Sequence, residues 1–327
     1  MPSSRSPGTG VIRWHRRAPF VGAAVAAGAA VAALVAGTPA LAGAVPAALP
    51  AGAAATPLRA PSPGAAAAVA STPALSASCS GAALQHDLFK KGQLTVATDS
   101  PAYTPWFVDN DPSNGKGYES AVAYAIAAQL GFGKSEVHWV IEPFDSSYAP
   151  GPKAFDFDIN EISYSAARAE AVTFSISYYD VTQALVALKS SPIVKKHSPA
   201  ELRTYLYGDQ VGTTSLSFIE SAIRPTTEPE VFSTLNDVKA ALDDRRITAF
   251  VTDTPTAQYI ASSEIPGSVV VGQFSSSLEY YGLLFAKGDP LASCTDQAIT
   301  VLTRNGTLAR LQKRYLEIYE QVPTLKP

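Results

Sequence analysis

Short apolar segments with strand character alternate with helical segments over most of the chain, and this alternation constrains the fold more than any other feature. Strands are predicted at residues 94–98, 137–141, 156–162, 183–188, 210–214, 247–252 and 281–286. Helices are predicted at residues 120–130, 201–207, 217–223, 238–242 and 254–261, followed by two helices within 294–319 that break at Asn305-Gly306. Such alternation predicts an α/β fold with a largely parallel sheet.

The N-terminus has the pattern of an export signal. Four arginines and no acidic residue precede an apolar stretch at about residues 20–37, and Ala40-Leu41-Ala42 follows as a small-x-small cleavage pattern. We therefore predict a secretory signal peptide at residues 1–42. An uncleaved N-terminal anchor is the alternative, since the stretch approaches the ~20 residues of a membrane helix, although it is rich in Ala and Gly.

Residues 43–78 consist of Ala, Pro, Gly, Ser and Thr together with a few aliphatic residues and one charge, Arg59. The segment contains no aromatic residue and could not build a core, so we predict a disordered linker. The folded part then runs from Cys79 to the C-terminus, which is long enough for two lobes.

The two cysteines, Cys79 and Cys294, both lie in the predicted exported part. Two cysteines in an oxidising compartment usually pair, so a disulfide is expected between them. Lipidation of Cys79 is the alternative, but Ser76 stands where a lipoprotein signal requires Leu.

Charge and motif content exclude several classes of function. The whole chain carries a net charge of −3, and removal of the four arginines in residues 1–42 leaves −7, which argues against nucleic-acid binding. The four histidines have no metal-ligand spacing, and no phosphate-binding loop or Gly-x-Ser-x-Gly string occurs. We expect no metal, no cofactor and no catalytic residue.

The run from Asp158 to Arg168 carries the most specific chemistry. Ser163 and Ser165 precede Arg168, whose planar guanidinium matches a carboxylate, and the hydroxyls add donors beside it. On local grounds alone, Ser165 as a helix N-cap with a solvated Arg168 is the favoured explanation of the run, because Ser caps before helices are common.

This run, together with the ordered positions of Asp99, Tyr103, Thr214 and Asp253, resembles the amino-acid-binding solute receptors of extracellular solute-binding protein family 3. The resemblance covers essentially the whole folded part. It implies a type II periplasmic-binding-protein-like fold of two lobes, each a mostly parallel sheet flanked by helices, joined by a double-crossover hinge. The first lobe would comprise residues 79–180 and 280–327, and the second residues 181–279.

The resemblance also implies how the two poles of an amino acid are held. Arg168 would bind the α-carboxylate, with help from the turn at Thr213 and Thr214 before a helix N-terminus. Asp253, which ends a strand, would receive the α-ammonium. An N-cap role is the local alternative for both Thr214 and Asp253.

The ligand's side chain would meet residues of the first lobe. Asp99 ends the first strand and corresponds to a family residue that touches the side chain, although an Asx-turn is equally expected there. Tyr103, Trp106 and Phe144 would sandwich apolar parts of the ligand, with packing against their own lobe as the alternative for the loop aromatics.

Glu161 departs from the family pattern, in which a Ser, Gly or Gln is usual. A carboxylate in a desolvated cleft is costly unless it is paired. Either Glu161 points away from the cleft, or it meets a cation on the ligand. The second alternative predicts a basic or strongly polar amino acid as the ligand.

The resemblance thus implies a monomeric receptor, secreted or held at the cell envelope, that binds a free amino acid and delivers it to the permease of an ABC importer. The alternative is an exported dehydratase of the same fold acting on a cyclic amino-acid precursor, for which Glu161 or Asp99 could supply an acid.

Overall fold

The computed structural model describes residues 74–79 and 81–325. The predicted signal peptide and residues 43–73 of the predicted linker lie outside this range. The packed structure begins slightly before the predicted start at Cys79, because Leu75 packs against the first core and the backbone N–H of Ser76 donates to Gln297 Oε1 at 2.8 Å. Within the described residues, no helix has the length and apolarity needed to cross a membrane.

Strands and helices alternate as the sequence predicts. The strands of the described residues are β1 (Leu94–Thr98), β2 (Val137–Ile141), β3 (Phe157–Asp158), β4 (Thr173–Phe174), β5 (Tyr179–Val181), β6 (Gln183–Leu188), β7 (Gly208–Gln210), β8 (Glu230–Phe232), β9 (Ala249–Asp253), β10 (Ser268–Phe274), β11 (Glu279–Tyr281), β12 (Leu284–Phe285) and β13 (Thr324–Leu325). Their α-helices are α1 (Tyr118–Gln129), α2 (Phe144–Ser147), α3 (Ala166–Ala171), α4 (Pro199–Leu202), α5 (Thr214–Phe218), α6 (Leu235–Asp243), α7 (Thr254–Tyr259), α8 (Leu291–Arg304) and α9 (Thr307–Tyr315).

The first lobe contains a five-stranded sheet in the order β2-β1-β3-β12-β4. Strand β1 pairs in parallel with β2 and β3, whereas β12 is antiparallel to β3 and β4. Every residue of β1 is buried, as expected of a central strand covered on both faces. The carboxyl ends of β1 and β3 therefore deliver their following residues to one edge of this sheet.

The second lobe contains a four-stranded sheet in the order β13-β10-β6-β9. The expectation of a mostly parallel sheet is wrong for this lobe: β6 is antiparallel to both β9 and β10, and only β13 runs parallel to β10. Strand β13 also shows that Thr324 and Leu325 belong to the second sheet, although the sequence assigned all of residues 280–327 to the first lobe.

The two lobes are joined by a ribbon of two strands. Strands β5 and β11 pair antiparallel, with Tyr179 opposite Tyr281 and Val181 opposite Glu279. The chain passes from the first sheet to the second through β5 and returns through β11, which is the predicted double crossover.

The predicted disulfide is present between Cys79 and Cys294, with Cα atoms 5.1 Å apart. It ties the start of the described fold to α8. Both cysteines are buried in the core of the first lobe, which also includes residues of α1, α8 and α9. The bridge therefore links two chain segments of the same core.

Candidate functional site

A cavity of about 70 Å³ lies between the two lobes, at the carboxyl ends of the strands. Its walls come from both lobes. The lining residues are Asp99, Tyr103, Phe144, Asn160, Glu161, Arg168, Asp209, Gln210, Thr213, Thr214, Ser215, Leu235, Thr252 and Asp253.

Arg168 is fixed in the first lobe by the turn that starts α3. The Ser165 hydroxyl caps this helix by accepting the backbone N–H of Arg168 at 3.1 Å. The side chain is only 8% exposed, and its guanidinium donates to the carbonyl of Ser163 at 2.6 Å. The guanidinium lies 4.6 Å from the ring centre of Tyr148 and 5.4 Å from that of Phe144. The local alternative of a solvated Arg168 is therefore wrong.

The same guanidinium reaches the second lobe, where it donates to the carbonyl of Gly212 at 2.8 Å. Gly212 has φ 74°, and a Cβ at this position would collide with the hydroxyl of Tyr148. Glycine at this turn therefore avoids both the strain of a left-handed backbone and a contact with Tyr148. Burial lowers the pKa of Arg168 from its ordinary value. The ion pairs found among the described residues lie elsewhere, so Arg168 meets carbonyls and rings rather than a carboxylate.

Asp253 stands at the end of β9, opposite Arg168 in the cleft. Gln183 Nε2 donates to Asp253 Oδ1 at 2.7 Å, and Gln183 Oε1 accepts from the Ser215 hydroxyl at 2.6 Å. Gln183 therefore positions both an acid and the first turn of α5. Burial, and then the charge of Glu279, raise the pKa of Asp253 to about 7.

Glu161 lines the cavity between the lobes. This contradicts the alternative in which Glu161 points away from the cleft. Its backbone is left-handed, with φ 53°, and its N–H donates to Glu119 Oε1 at 2.7 Å. Glu161 Oε2 accepts from the hydroxyl of Thr256, on α7 of the second lobe, at 2.9 Å. Burial, and then the charges of Glu119 and Asp253, raise the pKa of Glu161 well above its ordinary range.

Trp106 does not line the cavity. It is fully buried in the first core, in edge-to-face contact with Tyr179 and Tyr281 of the hinge ribbon, and its Nε1 donates to the Thr256 hydroxyl at 2.7 Å. An indole at this place can satisfy its single donor inside the protein, so it packs instead of facing the cleft.

The other predicted aromatic residues do reach the cavity. Tyr103 crosses from its loop to pack on the core of the second lobe, with Lys239 Nζ 5.1 Å from its ring centre. Phe144 starts α2 directly after β2 and forms part of the opposite wall. Asp99 follows β1 and accepts the backbone N–H of Ser100 at 2.6 Å, and burial raises its pKa.

On the second lobe, Thr213 rather than Thr214 caps the helix. Its hydroxyl accepts the backbone N–H of Leu216 at 3.0 Å and donates to the carbonyl of Gln210 at 2.9 Å. Both threonines line the cavity, and Thr214 and Ser215 belong to the first turn of α5, whose N–H groups lack intrahelical partners.

The structure thus brings eight of the predicted residues to one cavity: Asp99, Tyr103, Phe144, Glu161, Arg168, Thr213, Thr214 and Asp253. Three predicted residues are not in the wall. Trp106 packs in the first core, and Ser163 and Ser165 instead hold Arg168, through a backbone carbonyl and a helix cap. Sequence reasoning missed Asn160, Asp209, Gln210, Ser215, Leu235 and Thr252 in the wall, and Gln183 behind it. Asn160 lay inside the predicted strand 156–162 and Gln210 began the predicted strand 210–214, whereas in the structure Gln210 ends β7 and Asn160 follows β3 by two residues, so only correct strand bounds would have pointed to them.

The site is strongly acidic. Asp99, Glu161, Asp209 and Asp253 line the cavity, and the buried Glu119 accepts the backbone N–H of Glu161, whereas Arg168 is the cation among the lining residues. No group of three or more potential metal ligands occurs within residues 74–79 and 81–325. The arrangement suits a ligand that carries its own positive charge.

Residues 94–318 match the bacterial extracellular solute-binding proteins, family 3, and the chain belongs to this family. No curated protein sequence matches the chain. The family and the fold together define a two-lobe binding protein of the type II class, as the sequence predicted.

Several solved structures share this fold. A mutant of ArgBP from T. maritima is 26% identical, with a TM-score of 0.58 over 68% of this chain and 95% of that one. An ancestral arginine-binding protein bound to arginine is 26% identical, with a TM-score of 0.58 over 69% and 98%. An ancestral amino-acid-binding protein described as a precursor of cyclohexadienyl dehydratase is also 26% identical, with a TM-score of 0.58 over 69% and 96%.

Proposed function

We propose that this protein is an extracytoplasmic receptor that binds a free amino acid, with basic or polar side chains favoured, and delivers it to the membrane permease of an ABC importer. One observation carries the proposal: Arg168 on one lobe and Asp253 on the other face the same small cavity. A zwitterionic amino acid offers an anion to the first and a cation to the second.

The proposed pose places the α-carboxylate at Arg168 and the first turn of α5. A guanidinium has five N–H donors, so bonds to the Ser163 and Gly212 carbonyls leave others for a ligand. The α-ammonium would lie at Asp253 and the carbonyl of Glu161. The side chain would then extend toward Asp99, between Tyr103 and Phe144.

The preference for a basic side chain follows from the excess of acid. Asp99 and Glu161 remain for the rest of the ligand once Asp253 has taken the ammonium, and a buried carboxylate without a partner is costly. An added positive charge lowers that cost, whereas glutamate or aspartate would raise it. The similarity to an arginine-binding protein supports the same preference.

A thermal-shift screen against the common amino acids tests the proposal. A ligand at 100-fold over its dissociation constant adds ~2.7 kcal/mol to the free energy of unfolding, which raises the melting temperature by several degrees. We expect the largest shift with arginine or lysine and none with glutamate. A flat response to every amino acid contradicts the proposal.

The alternative function, a dehydratase acting on a cyclic amino-acid precursor, has its own supporting observation. Glu161 lines the cavity, and burial raises the pKa of its carboxyl group, as a general acid requires. The similarity to the dehydratase precursor also favours it. Incubation with a cyclohexadienyl amino acid that carries a ring hydroxyl and a ring carboxylate decides: a receptor leaves the compound intact, whereas a dehydratase releases water and carbon dioxide and leaves an aromatic amino acid.

The location and partners in this proposal rest on the sequence and the family. A cleaved signal at residues 1–42 would export a monomer, and an uncleaved one would anchor it at the envelope. Fractionation with N-terminal sequencing distinguishes the two. Uptake of labelled amino acid by membranes carrying the permease, with and without this protein, tests delivery.

A further inference from the structure

Residues 316–325 cross from the first lobe to the second, and we infer that this C-terminal strap limits how far the cleft opens. Its positioning residue is Glu320, whose anchor in the first lobe slows the release of ligand. The inference rests on the proposed function, because it concerns release from the same cavity. It gives a role to a segment that contributes nothing to the cavity wall and lies outside the hinge ribbon of β5 and β11.

The C-terminal strap begins in the core of the first lobe. Leu316, directly after α9, is fully buried there among residues of α1, α8 and α9. Glu320 Oε1 then accepts hydrogen bonds from Gln312 Nε2 on α9 and from the hydroxyl of Tyr179 on β5, both at 2.8 Å. Hydrogen bonds to a carboxylate are stronger than those between neutral groups. Glu320 therefore fixes the strap to the first lobe and to the hinge ribbon.

The strap ends in the sheet of the second lobe. The carbonyl of Pro323 accepts the backbone N–H of Gln273 at 2.8 Å, and β13 pairs in parallel with β10, where Leu325 lies opposite Phe274. Leu325 is only 4% exposed and packs in a core of this lobe. A Cβ on Gly272 of β10 would lie 2.8 Å from Leu325 Cγ, so the two strands pack closely. The end of the strap is therefore part of the second lobe.

The strap passes between the lobes at Glu320. Before it, the ring of Tyr319 lies edge-to-face against that of Tyr259 on α7 of the second lobe, with ring centres 5.7 Å apart. After it, Val322 packs against a core of the same lobe. Glu320 is therefore the last point at which the strap is held to the first lobe.

The anchor at Glu320 determines the free length of the strap. From Glu320 to Pro323, an extended chain spans at most about 11 Å, at ~3.6 Å per residue. If Glu320 is released, the free stretch begins at the buried Leu316 and can reach about 25 Å. A short strap stops the second lobe from rotating far from α9, whereas a long one does not.

The strap lies beside the hinge, where it can act on opening. The Thr182 hydroxyl, between β5 and β6, donates to Gln273 Oε1 at 2.7 Å, and Gln273 is also the residue that bonds Pro323. A hinge absorbs rotation in a few residues, so a third connection beside it adds a separate limit. Ligand enters a form that is already open within this limit, but it leaves only after closed lobes separate against the strap. The anchor should therefore affect dissociation more than association.

Glu320→Ala tests the inference in the full-length protein. Without ligand, the variant should have a larger radius of gyration in small-angle scattering than the wild type, because the strap no longer limits opening. With saturating L-arginine, the two radii should agree. Stopped-flow displacement should show L-arginine leaving the variant about tenfold faster, with an association rate within about twofold of the wild type.

Glu317→Ala is the matched control, because it removes the same charge from the same segment at an exposed position. It should leave the radius and both rates unchanged. Tyr179→Phe removes only the hydroxyl that donates to Glu320, so it should also speed release. The double variant of Tyr179→Phe with Glu320→Ala should release L-arginine no faster than Glu320→Ala alone, because both changes remove the same contact.

A ligand-free radius equal to that of the wild type in folded Glu320→Ala, or an equal change in Glu317→Ala, would overturn the inference. If Glu320→Ala does not fold, Tyr179→Phe decides by the same two measurements. The ligand-free radius does not depend on the identity of the ligand. A wild type that binds no free amino acid therefore overturns the proposed function, while a wider opening of Glu320→Ala still supports the strap.

Discussion

The guanidinium of Arg168 donates to the backbone carbonyl of Gly212 at 2.8 Å, across the cleft between the lobes. A second bond, to the carbonyl of Ser163, fixes the same group within its own lobe. Arg168 is therefore both the cation of the cavity and a direct link between the lobes. Ligand binding and lobe closure should consequently depend on the same side chain.

Arg168→Ala should abolish amino-acid binding while the protein stays folded. The expected loss is about 2–5 kcal/mol, the range seen when one member of a buried charged pair is removed. Arg168→Lys is the matched control: it keeps the charge but not the planar fork, so it should bind with intermediate affinity. Calorimetry with circular dichroism of the same samples checks both. Normal affinity in folded Arg168→Ala would remove Arg168 from the site.

Thr256→Val should weaken ligand binding and loosen the closed form. The Thr256 hydroxyl accepts from Trp106 Nε1 at 2.7 Å and donates to Glu161 Oε2 at 2.9 Å. Its loss leaves both buried groups without this partner, and each unpaired group costs about 1–3 kcal/mol of stability. Thr256→Ser keeps the hydroxyl and should behave as the wild type. Small-angle scattering with saturating arginine should give a larger radius of gyration for the valine variant than for the serine variant. Identical radii and affinities would contradict this role.

The free energy of unfolding should fall as pH rises because of Asp253. Its pKa is 3.8 in an unfolded chain and about 7 in the fold, so between these values the folded state binds more protons than the unfolded state. Asp253→Asn should therefore reduce this pH slope. Urea unfolding at about pH 5 and about pH 8 measures the slope for the wild type and the variant.

Affinity for a cationic amino acid should change with pH in the opposite direction. The ligand ammonium favours the ionised form of Asp253, so binding below pH 7 releases a proton from this residue. The affinity should therefore increase with pH, by up to about tenfold per pH unit, until Asp253 is already ionised in the free protein. Calorimetry in buffers of different ionisation enthalpy measures the proton released. Affinity independent of pH below 7 would exclude Asp253 as the partner of the ammonium.

Loss of the Cys79–Cys294 bridge should destabilise the protein without removing the site. The cysteines are 215 residues apart, so the chain-entropy estimate for closing the loop is about 5 kcal/mol as an upper value. The double Ser variant should unfold at lower urea concentration than the oxidised wild type and match the wild type in reductant. An unchanged midpoint would contradict this contribution.

Much of the fold could be predicted because its elements carry local signals. Strand β1 is a β-branched run ended by Asp99, and the helix pair near the C-terminus breaks at Asn305-Gly306. Strand β10 was not predicted, although it is central to the second sheet. Strand β7 begins at Gly208, two residues before the start of the strand predicted at residues 210–214. The direction of β6 depends on pairing with distant strands, which no local pattern encodes.

Some residues of the candidate site could likewise be predicted from local sequence signals, whereas the placement of others depends on distant contacts. Arg168 could be found because it follows Ser163 and Ser165 in a run that resembles the family signature, and Asp253 because it ends a strand directly before a helix. Whether Glu161 faces the cavity depends on its left-handed backbone and on Glu119, and the burial of Trp106 depends on Thr256, which is 150 residues away in the chain. Such contacts arise only from the assembled lobes.

The central claim is that the cavity holds both charged ends of a free amino acid, and calorimetric titration with L-arginine tests it most directly. Agmatine lacks the carboxylate that Arg168 would bind, and 5-guanidinopentanoate lacks the ammonium that Asp253 would bind. We predict one site per chain for arginine, and a loss of at least about a hundredfold in affinity for either analogue. No binding of arginine or of any other free amino acid, or equal affinity for arginine and both analogues, would contradict the account.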